Sequence, residues 1–176
     1  MFGLFKREGA TLAPDEPIEL KTVVEIDRSA DEVYALLDWS DERNQLRARG
    51  NLVRQEGTAP DVFRLWYDRA PNLNFLFTVT DARPGEAYAF HGDIIPAVGR
   101  RIGNHESYAI ERLDEGHCKV TFVNTIRHIP GLTHEELNEE IAKSSLAAAN
   151  GLTKLKLQAE LGVAAVEGFE RGMGQR

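Results

Sequence analysis

The chain has 176 residues, of which 42% are hydrophobic and 28% charged, so it is long enough for one globular domain and its composition excludes a disordered chain. Its net charge of -7 and the lack of a basic stripe argue against a nucleic-acid partner. Cys118 is the only cysteine, which excludes an intrachain disulfide and predicts a reducing cytoplasmic location.

The first 17 residues are expected to form a flexible N-terminal leader. MFGLFKREG carries three large apolar residues after the initiator, but no apolar run as long as a signal peptide needs. A segment this short predicts no stable membrane insertion. Residues 8–17 contain two prolines and no apolar periodicity, so the folded domain is expected over residues 18–161.

A strand and two short helices are predicted next. Residues 20–27, LKTVVEID, are rich in β-branched side chains and favour a strand. Ser29 followed by Glu32 three positions later is a capping box, which predicts the start of a short helix. The charged stretch DERNQLRAR predicts a second short helix, ended by Gly50.

The middle of the chain alternates between apolar and polar residues and is interrupted by turn sequences such as APD, RAPN and ARPGE. Short turns between successive strands predict an antiparallel meander. The six strands are expected at about 51–56, 62–68, 73–81, 86–93, 102–113 and 117–127.

The register of the last hairpin follows from its side chains. A loop at 114–116 places Tyr108 opposite Phe122, so that apolar residues pair on one face. The same register sets Glu106 opposite Asn124 on this apolar face. An ionised carboxylate without partners is costly there, so Glu106 is expected to be paired, hydrated or functional.

A long C-terminal helix is predicted over residues 134–161. Thr133 and Glu136 form a second capping box at its start, and Gly162 ends it. The three glycines of GFERGMGQR predict a flexible tail over residues 162–176.

The stripe of this helix that is expected to face the sheet is bulky at its ends and small at its centre. Two explanations are open: the small residues let the helix approach the sheet closely, or they leave space for a ligand. The stripe consists of Leu137, Ile141, Ser144, Ala148, Gly151 or Leu152, Leu155 and Ala159.

Several inward-facing side chains on the strands are candidates for a binding site. Period-two alternation selects Phe75, Phe77, Tyr88 and Phe90, which belong either to an ordinary core or to the wall of a pocket. A carboxylate, a phenol and an amide on one apolar face, Glu106, Tyr108 and Asn124, are able to orient a polar ligand group or move a proton. The alternative for this trio is a hydrated cluster at the sheet edge, or a salt bridge to Arg101 or Arg127.

Metal and nucleophile motifs are missing from the sequence. The five histidines show neither HxxxH nor HExxH spacing, and no GxSxG occurs. We therefore predict no metal and no cofactor. The VGRRIGN segment is no phosphate loop, although its two arginines are placed to attract an anionic ligand group at a cavity mouth.

Three segments carry a family resemblance: VVEIDRSADEVYALLDW, FLFTVTDARPGEAYAF and YAIERLDEGHCKVTFVNT. Together with the order of the elements, they resemble the SRPBCC superfamily of Bet v 1-like and START-like helix-grip proteins, which includes polyketide cyclase and dehydrase-like members. The resemblance implies an α+β fold in which a curved antiparallel sheet wraps around a long C-terminal helix, with two short helices after strand 1. It also implies an apolar cavity between sheet and helix.

The resemblance implies that a small, mostly apolar, lipid-like or aromatic ligand binds in this cavity. Two alternatives stay open: a cyclase or dehydratase that uses Glu106 as acid or base, and a co-chaperone or partner-interaction module. The expected ligand contacts are Phe75, Phe77, Tyr88, Phe90, Glu106, Tyr108, Phe122, Asn124, Leu137, Ile141, Ser144, Ala148 and Leu152.

Overall fold

The computed structural model describes residues 11–67 and 72–174. Its helices are α1 (Ala30–Leu37), α2 (His134–Leu161) and α3 (Val163–Met173). Its strands are β1 (Ile18–Ile26), β2 (Leu52–Gln55), β3 (Val62–Trp66), β4 (Asn74–Arg83), β5 (Ala87–Ile95), β6 (Arg101–Arg112) and β7 (Cys118–His128).

The seven strands form one antiparallel sheet in the order β1-β7-β6-β5-β4-β3-β2. Strands β2 to β7 follow one another as a meander, and β1 closes the sheet beside β7. Alternate residues of β7 are buried, because one face of the curved sheet turns toward the core and α2. The expected α+β helix-grip architecture is confirmed.

The register of the β6–β7 hairpin is confirmed. Tyr108 lies opposite Phe122 and Glu106 opposite Asn124. On the outer face, Lys119 forms a salt bridge with Glu111. The pairing of apolar with apolar and of positive with negative side chains therefore fixed this register.

Both predicted capping boxes are present. At α1, the Glu32 amide donates to Ser29 Oγ at 3.3 Å and the Ser29 amide donates to Glu32 Oε2 at 3.1 Å. At α2, the corresponding distances between Thr133 and Glu136 are 3.2 and 3.0 Å. Each box satisfies two backbone donors that a helix start leaves unpaired.

The second short helix predicted after β1 is wrong in extent, since only a 3-10 turn at Arg47–Arg49 forms there. Side chains compete with the helical hydrogen bonds in this segment. Asp41 Oδ1 accepts from the amide of Arg43 at 2.8 Å, and Asn44 Oδ1 accepts from the amide of Leu46 at 3.0 Å.

The flexible tail predicted from residue 162 is wrong for residues 163–173, which form α3. Gly162 has a φ of 84°, so the chain turns sharply between α2 and α3. Val166 is buried, and this tertiary packing outweighs the low helix propensity of the glycines.

The leader is only partly described. The MFGLFKR segment of the predicted leader lies outside the described residues. From residue 11 onward the chain is held against the loop before α2, where the Ala13 amide donates to the Leu132 carbonyl at 2.8 Å and Asp15 Oδ1 accepts from the Gly131 amide at 3.1 Å. Flexibility is therefore the wrong expectation for this stretch.

Membrane crossing requires a helix of about 20 mostly apolar residues. None of the helices within residues 11–67 and 72–174 combines that length with that apolarity.

Candidate functional site

The inner face of the sheet and α2 enclose a cavity of about 340 Å³, which we call the aromatic chamber. Its wall is mostly aromatic, with a few polar and charged groups, as in many small-molecule sites. Its lining residues are Leu37, Trp39, Gln45, Leu46, Arg49, Tyr67, Phe75, Phe77, Phe90, Gly92, Ile94, Arg101, Asn104, Glu106, Tyr108, Gly151 and Lys154.

Trp39 organises the aromatic wall. Its ring stacks on Phe77 with centroids 4.4 Å apart and meets the edge of Phe90 at 5.3 Å. The Trp39 amide donates to the Tyr88 hydroxyl at 3.0 Å. Tyr88 thus supports the wall from behind and lines neither this chamber nor the smaller one described next.

A second cavity of about 130 Å³ lies beside the first, against the centre of α2. We call it the small-residue chamber, because the helix contributes mainly serine, alanine and glycine to it. Its lining residues are Arg101, Glu106, Tyr108, Phe122, Asn124, Ser144, Ala147, Ala148, Gly151 and Leu152.

The two chambers meet at four residues that line both of them: Arg101, Glu106, Tyr108 and Gly151. Gly151 has no side chain to separate the chambers, and the space that a Cβ atom would occupy there is open. A ligand at this junction has polar groups within reach and apolar walls on either side.

A hydrogen-bonded network holds the Glu106 carboxylate at the junction. Asn104 Nδ2 donates to Oε1 at 2.8 Å and the Tyr108 hydroxyl donates to Oε2 at 3.0 Å. Asn104 Nδ2 also lies 3.4 Å from Asn124 Oδ1. No ion pair joins Glu106 to Arg101 within the described residues, so the carboxylate is held by neutral donors.

Burial sets the proton affinity of this network. It raises the pKa of the Glu106 carboxyl above its ordinary value, while the hydrogen bonds from Tyr108 and Asn104 and the charge of Arg101 act in the opposite direction. Burial and the nearby carboxylate raise the pKa of the Tyr108 phenol well above its ordinary value. Protein therefore surrounds the Glu106 carboxylate on several sides, and open volume lies in front of it.

Helix α3 is tied by ion pairs to two residues that line the aromatic chamber. Glu170 Oε1 pairs with Arg49 at 2.9 Å and with Lys154 at 3.3 Å, and both of these cations line the chamber. The burial of Val166 adds an apolar contact beneath α3. The residues expected to be a loose tail instead fasten α2 to the turn that precedes β2.

The structure brings together ten of the thirteen residues predicted to contact a ligand. The aromatic chamber contains Phe75, Phe77, Phe90, Glu106 and Tyr108. The small-residue chamber adds Phe122, Asn124, Ser144, Ala148 and Leu152.

Leu137, Ile141 and Tyr88 lie elsewhere. Leu137 faces a separate crevice of about 10 Å³ beneath the leader. Ile141 lines neither of the two chambers and precedes Ala148 on α2 by about 10 Å at 1.5 Å per residue. Leu137 and Ile141 were predicted to line the cavity, and the structure corrects this for both. It also corrects the prediction for Tyr88, whose side chain is buried in the core behind Trp39.

Sequence reasoning missed the residues that irregular segments contribute. Trp39 follows the last turn of α1, where no periodicity marks its direction. Asn104 shares the inward face with Glu106 and Tyr108, so extending the period-two pattern by one step would have found it. Gly103, inside a strand, was the available sign of an irregularity near Arg101.

The histidines lie outside both chambers. His105 pairs with Thr125 on the outer face, as predicted, and its ring lies 4.7 Å from that of His91. Burial and the neighbouring His91 lower the pKa of His105. In the part of the chain that the structure describes, no three histidine, cysteine, aspartate or glutamate side chains group as a metal site would require.

Solved structures share this architecture. The di-domain aromatase/cyclase BexL from the BE-7585A biosynthetic pathway matches with a TM-score of 0.64 and 16% identity over 79% of this chain and 45% of that one. The Zhui aromatase/cyclase from Streptomyces sp. R1128 matches with a TM-score of 0.55 and 14% identity over 82% of this chain and 97% of that one. The START superfamily protein from Mycobacterium smegmatis matches with a TM-score of 0.54 and 10% identity over 80% of this chain and 97% of that one.

At these identities the likeness establishes the fold, which is the helix-grip fold of START-like and Bet v 1-like structures. The chain spans about half the length of two of its neighbours, BexL and DynU16, a protein from the dynemicin biosynthetic locus. Comparison of the sequence with protein-family models and with curated proteins finds no match.

Proposed function

We propose that this protein binds a small, mostly apolar molecule, aromatic or lipid-like, in the two joined chambers. The observation that carries the proposal is the position of Glu106 and Tyr108 where the two chambers meet, with Asn104 hydrogen-bonded to the Glu106 carboxylate. A core built only for stability has few voids larger than a water molecule, and it does not place a carboxylate beside one.

The polar network supplies the orientation in this proposal. Glu106 accepts hydrogen bonds from a ligand hydroxyl, and Asn124 offers further polar atoms in the small-residue chamber. The aromatic rings around Trp39 hold a planar or flexible apolar body through burial of apolar surface. A few fixed polar groups within an apolar wall are what a specific small-molecule site requires.

Native mass spectrometry of the purified protein, followed by denaturing extraction, tests the proposal. A stoichiometric apolar molecule released on unfolding is the expected result and identifies its chemical class. An apo mass, together with no binding of uncharged naphthalene probes at micromolar concentration, would contradict it.

An enzyme of cyclase or dehydratase type is the second candidate, and the raised pKa of Glu106 favours it. A carboxylate with raised pKa is a stronger base, and here it faces open volume where a substrate C–H or O–H could give up its proton. The neighbours that are named aromatase/cyclases agree with this candidate. Conversion of a bound carbonyl compound that Glu106→Gln abolishes, with binding retained, is its test.

A co-chaperone or interaction module, the third alternative, predicted a filled interior. The two chambers count against it. We also propose that the protein is located in the reducing cytoplasm, because Cys118 is an unpaired and buried thiol.

A further inference from the structure

Arg101 occupies a special position among the cations near the cavity. It lines the aromatic chamber, the small-residue chamber and an open groove of about 540 Å³ between α2 and residues 94–101. Arg101 therefore borders both the groove and the junction at Glu106.

A β-bulge directs this side chain inward. Arg101 pairs with His128 and Gly103 pairs with Arg127, so Ile102 is an extra residue in β6. Period-two alternation from Glu106 through Asn104 would point residue 102 into the cavity. The bulge instead leaves Ile102 half-exposed and outside the lining of the chamber, and it sets Arg101 in the cavity wall.

The other cations that line the aromatic chamber or the groove are paired. Arg49 and Lys154 share Glu170, and Lys143 pairs with Glu140. Arg100 is bound by a cluster of acidic residues, Glu136, Glu139 and Glu140. Among the described residues, Arg101 has neither a side-chain hydrogen bond nor an ion pair, although the Glu106 charge acts on it over a longer distance.

A half-buried guanidinium without partners is unusual, since its five donors are satisfied only by water or by an incoming ligand. We infer that Arg101 binds an oxyanion on the ligand, so that the molecule held in the chambers is an aromatic or lipid-like compound carrying a carboxylate, sulfonate or enolate oxygen. This inference rests on the proposed function and names the ligand class of the same site.

The junction accommodates such a ligand on both sides of its polar group. The oxyanion pairs with Arg101, while Glu106 and Tyr108 face a hydroxyl farther along the molecule. The apolar body then fills the aromatic chamber. An uncharged ligand of the same shape would leave the Arg101 donors unpaired and bind more weakly.

Two fluorescent probes of matched shape test this inference: 1-anilinonaphthalene-8-sulfonate and its uncharged analogue N-phenyl-1-naphthylamine. We expect Arg101→Gln to weaken sulfonate binding about tenfold or more, the range for losing a charge-assisted hydrogen bond, and to change binding of the uncharged probe less than about twofold. Arg101→Lys keeps the charge and should retain most of the preference.

Arg127→Gln is the matched control, because Arg127 is exposed beside the same bulge. It should leave both dissociation constants unchanged, and thermal unfolding of each variant confirms that it is folded. Equal effects of Arg101→Gln on both probes, or no effect on either, would overturn the oxyanion inference while leaving the cavity proposal intact. If Ala148→Phe fails to reduce binding of either probe, the proposed cavity function fails, and the inference fails with it.

Discussion

The two halves of α2 lie in different environments. All of its buried residues, Ala148, Leu152, Leu155 and Gln158, fall in the second half. The first half, residues 134–147, has no buried residue and borders the open groove. A single regular helix therefore packs into the core in its second half, lines the two chambers with residues between 144 and 154, and borders an open groove toward its start.

Anchoring contacts explain this difference. At the C-terminal end, Lys156 Nζ donates to the Glu25 carbonyl at 2.6 Å, and Glu160 Oε1 accepts from the Asp27 amide at 2.8 Å. These contacts fasten the helix to the end of β1. Toward the N-terminal end, Arg100 bridges to acidic residues at the surface, which hold the helix without closing the space beneath it.

The largest expected effect comes from breaking the packed half. Leu155→Ala removes a buried side chain beside β1 and α1 and should lower the free energy of unfolding by about 2–5 kcal/mol. Ile141→Ala, in the half that borders the groove, should cost about 1 kcal/mol or less. Urea unfolding at pH 7 measures both, and equal losses would contradict the comparison.

Ala148→Phe tests the boundary between the two halves. Its side chain should grow into the small-residue chamber and abolish probe binding, with a loss of unfolding free energy below about 1 kcal/mol. Overpacking of a closed interior would instead cost about 1–3 kcal/mol.

Ala149→Phe is the matched control for this substitution. Ala149 is the next residue on α2 and is exposed, so its variant should bind the probe normally. Normal binding by Ala148→Phe would contradict the proposal that the ligand occupies the two joined chambers.

The regular parts of this architecture could be predicted from the sequence. Capping boxes at Ser29 and Thr133 and the pairing of Tyr108 with Phe122 depend on local rules, which the structure follows. For the small centre of α2 the sequence left close packing and space for a ligand both open, and the structure shows a cavity there.

The irregular parts could not be predicted from the sequence, because they depend on contacts between distant segments. The bulge at Ile102 reverses the direction of Arg101, and nothing local marks its position except Gly103. Helix α3 forms on glycine-rich sequence since Val166 is buried and Glu170 reaches Arg49, which is 121 positions away along the chain.

A smaller effect is expected from loosening α3. Glu170→Gln removes the charge that Arg49 and Lys154 share, and because the three side chains are only partly exposed, we expect a loss of about 1 kcal/mol in unfolding free energy. Glu167→Gln, whose carboxylate is exposed on the same helix, should cost less than about 0.5 kcal/mol. Indistinguishable urea midpoints for the two variants would contradict a role of Glu170 in fastening α3.

The smallest effect, and the most specific, concerns the pH dependence of stability at Glu106. Burial raises its pKa above the ordinary value of 4.5, so the folded state holds a proton that the unfolded chain releases. The contribution of Glu106 to stability is therefore most favourable below about pH 4.5, and it declines as the pH rises through the raised pKa. The facing groups Arg101, Asn104 and Tyr108 reduce this decline without reversing it.

Glu106→Gln removes the titration and keeps the shape of the side chain. The melting temperature of the variant relative to the wild type should therefore increase between pH 4.5 and pH 8, and Glu111→Gln on the exposed end of β6 controls for the loss of a carboxylate from this strand. A difference independent of pH would mean that Glu106 is well solvated, and the case for acid or base chemistry at the junction would then lose its physical basis. A rising difference would mean that the fold accepts a cost in stability to keep this carboxylate beside open volume, which is expected of a group retained for the ligand.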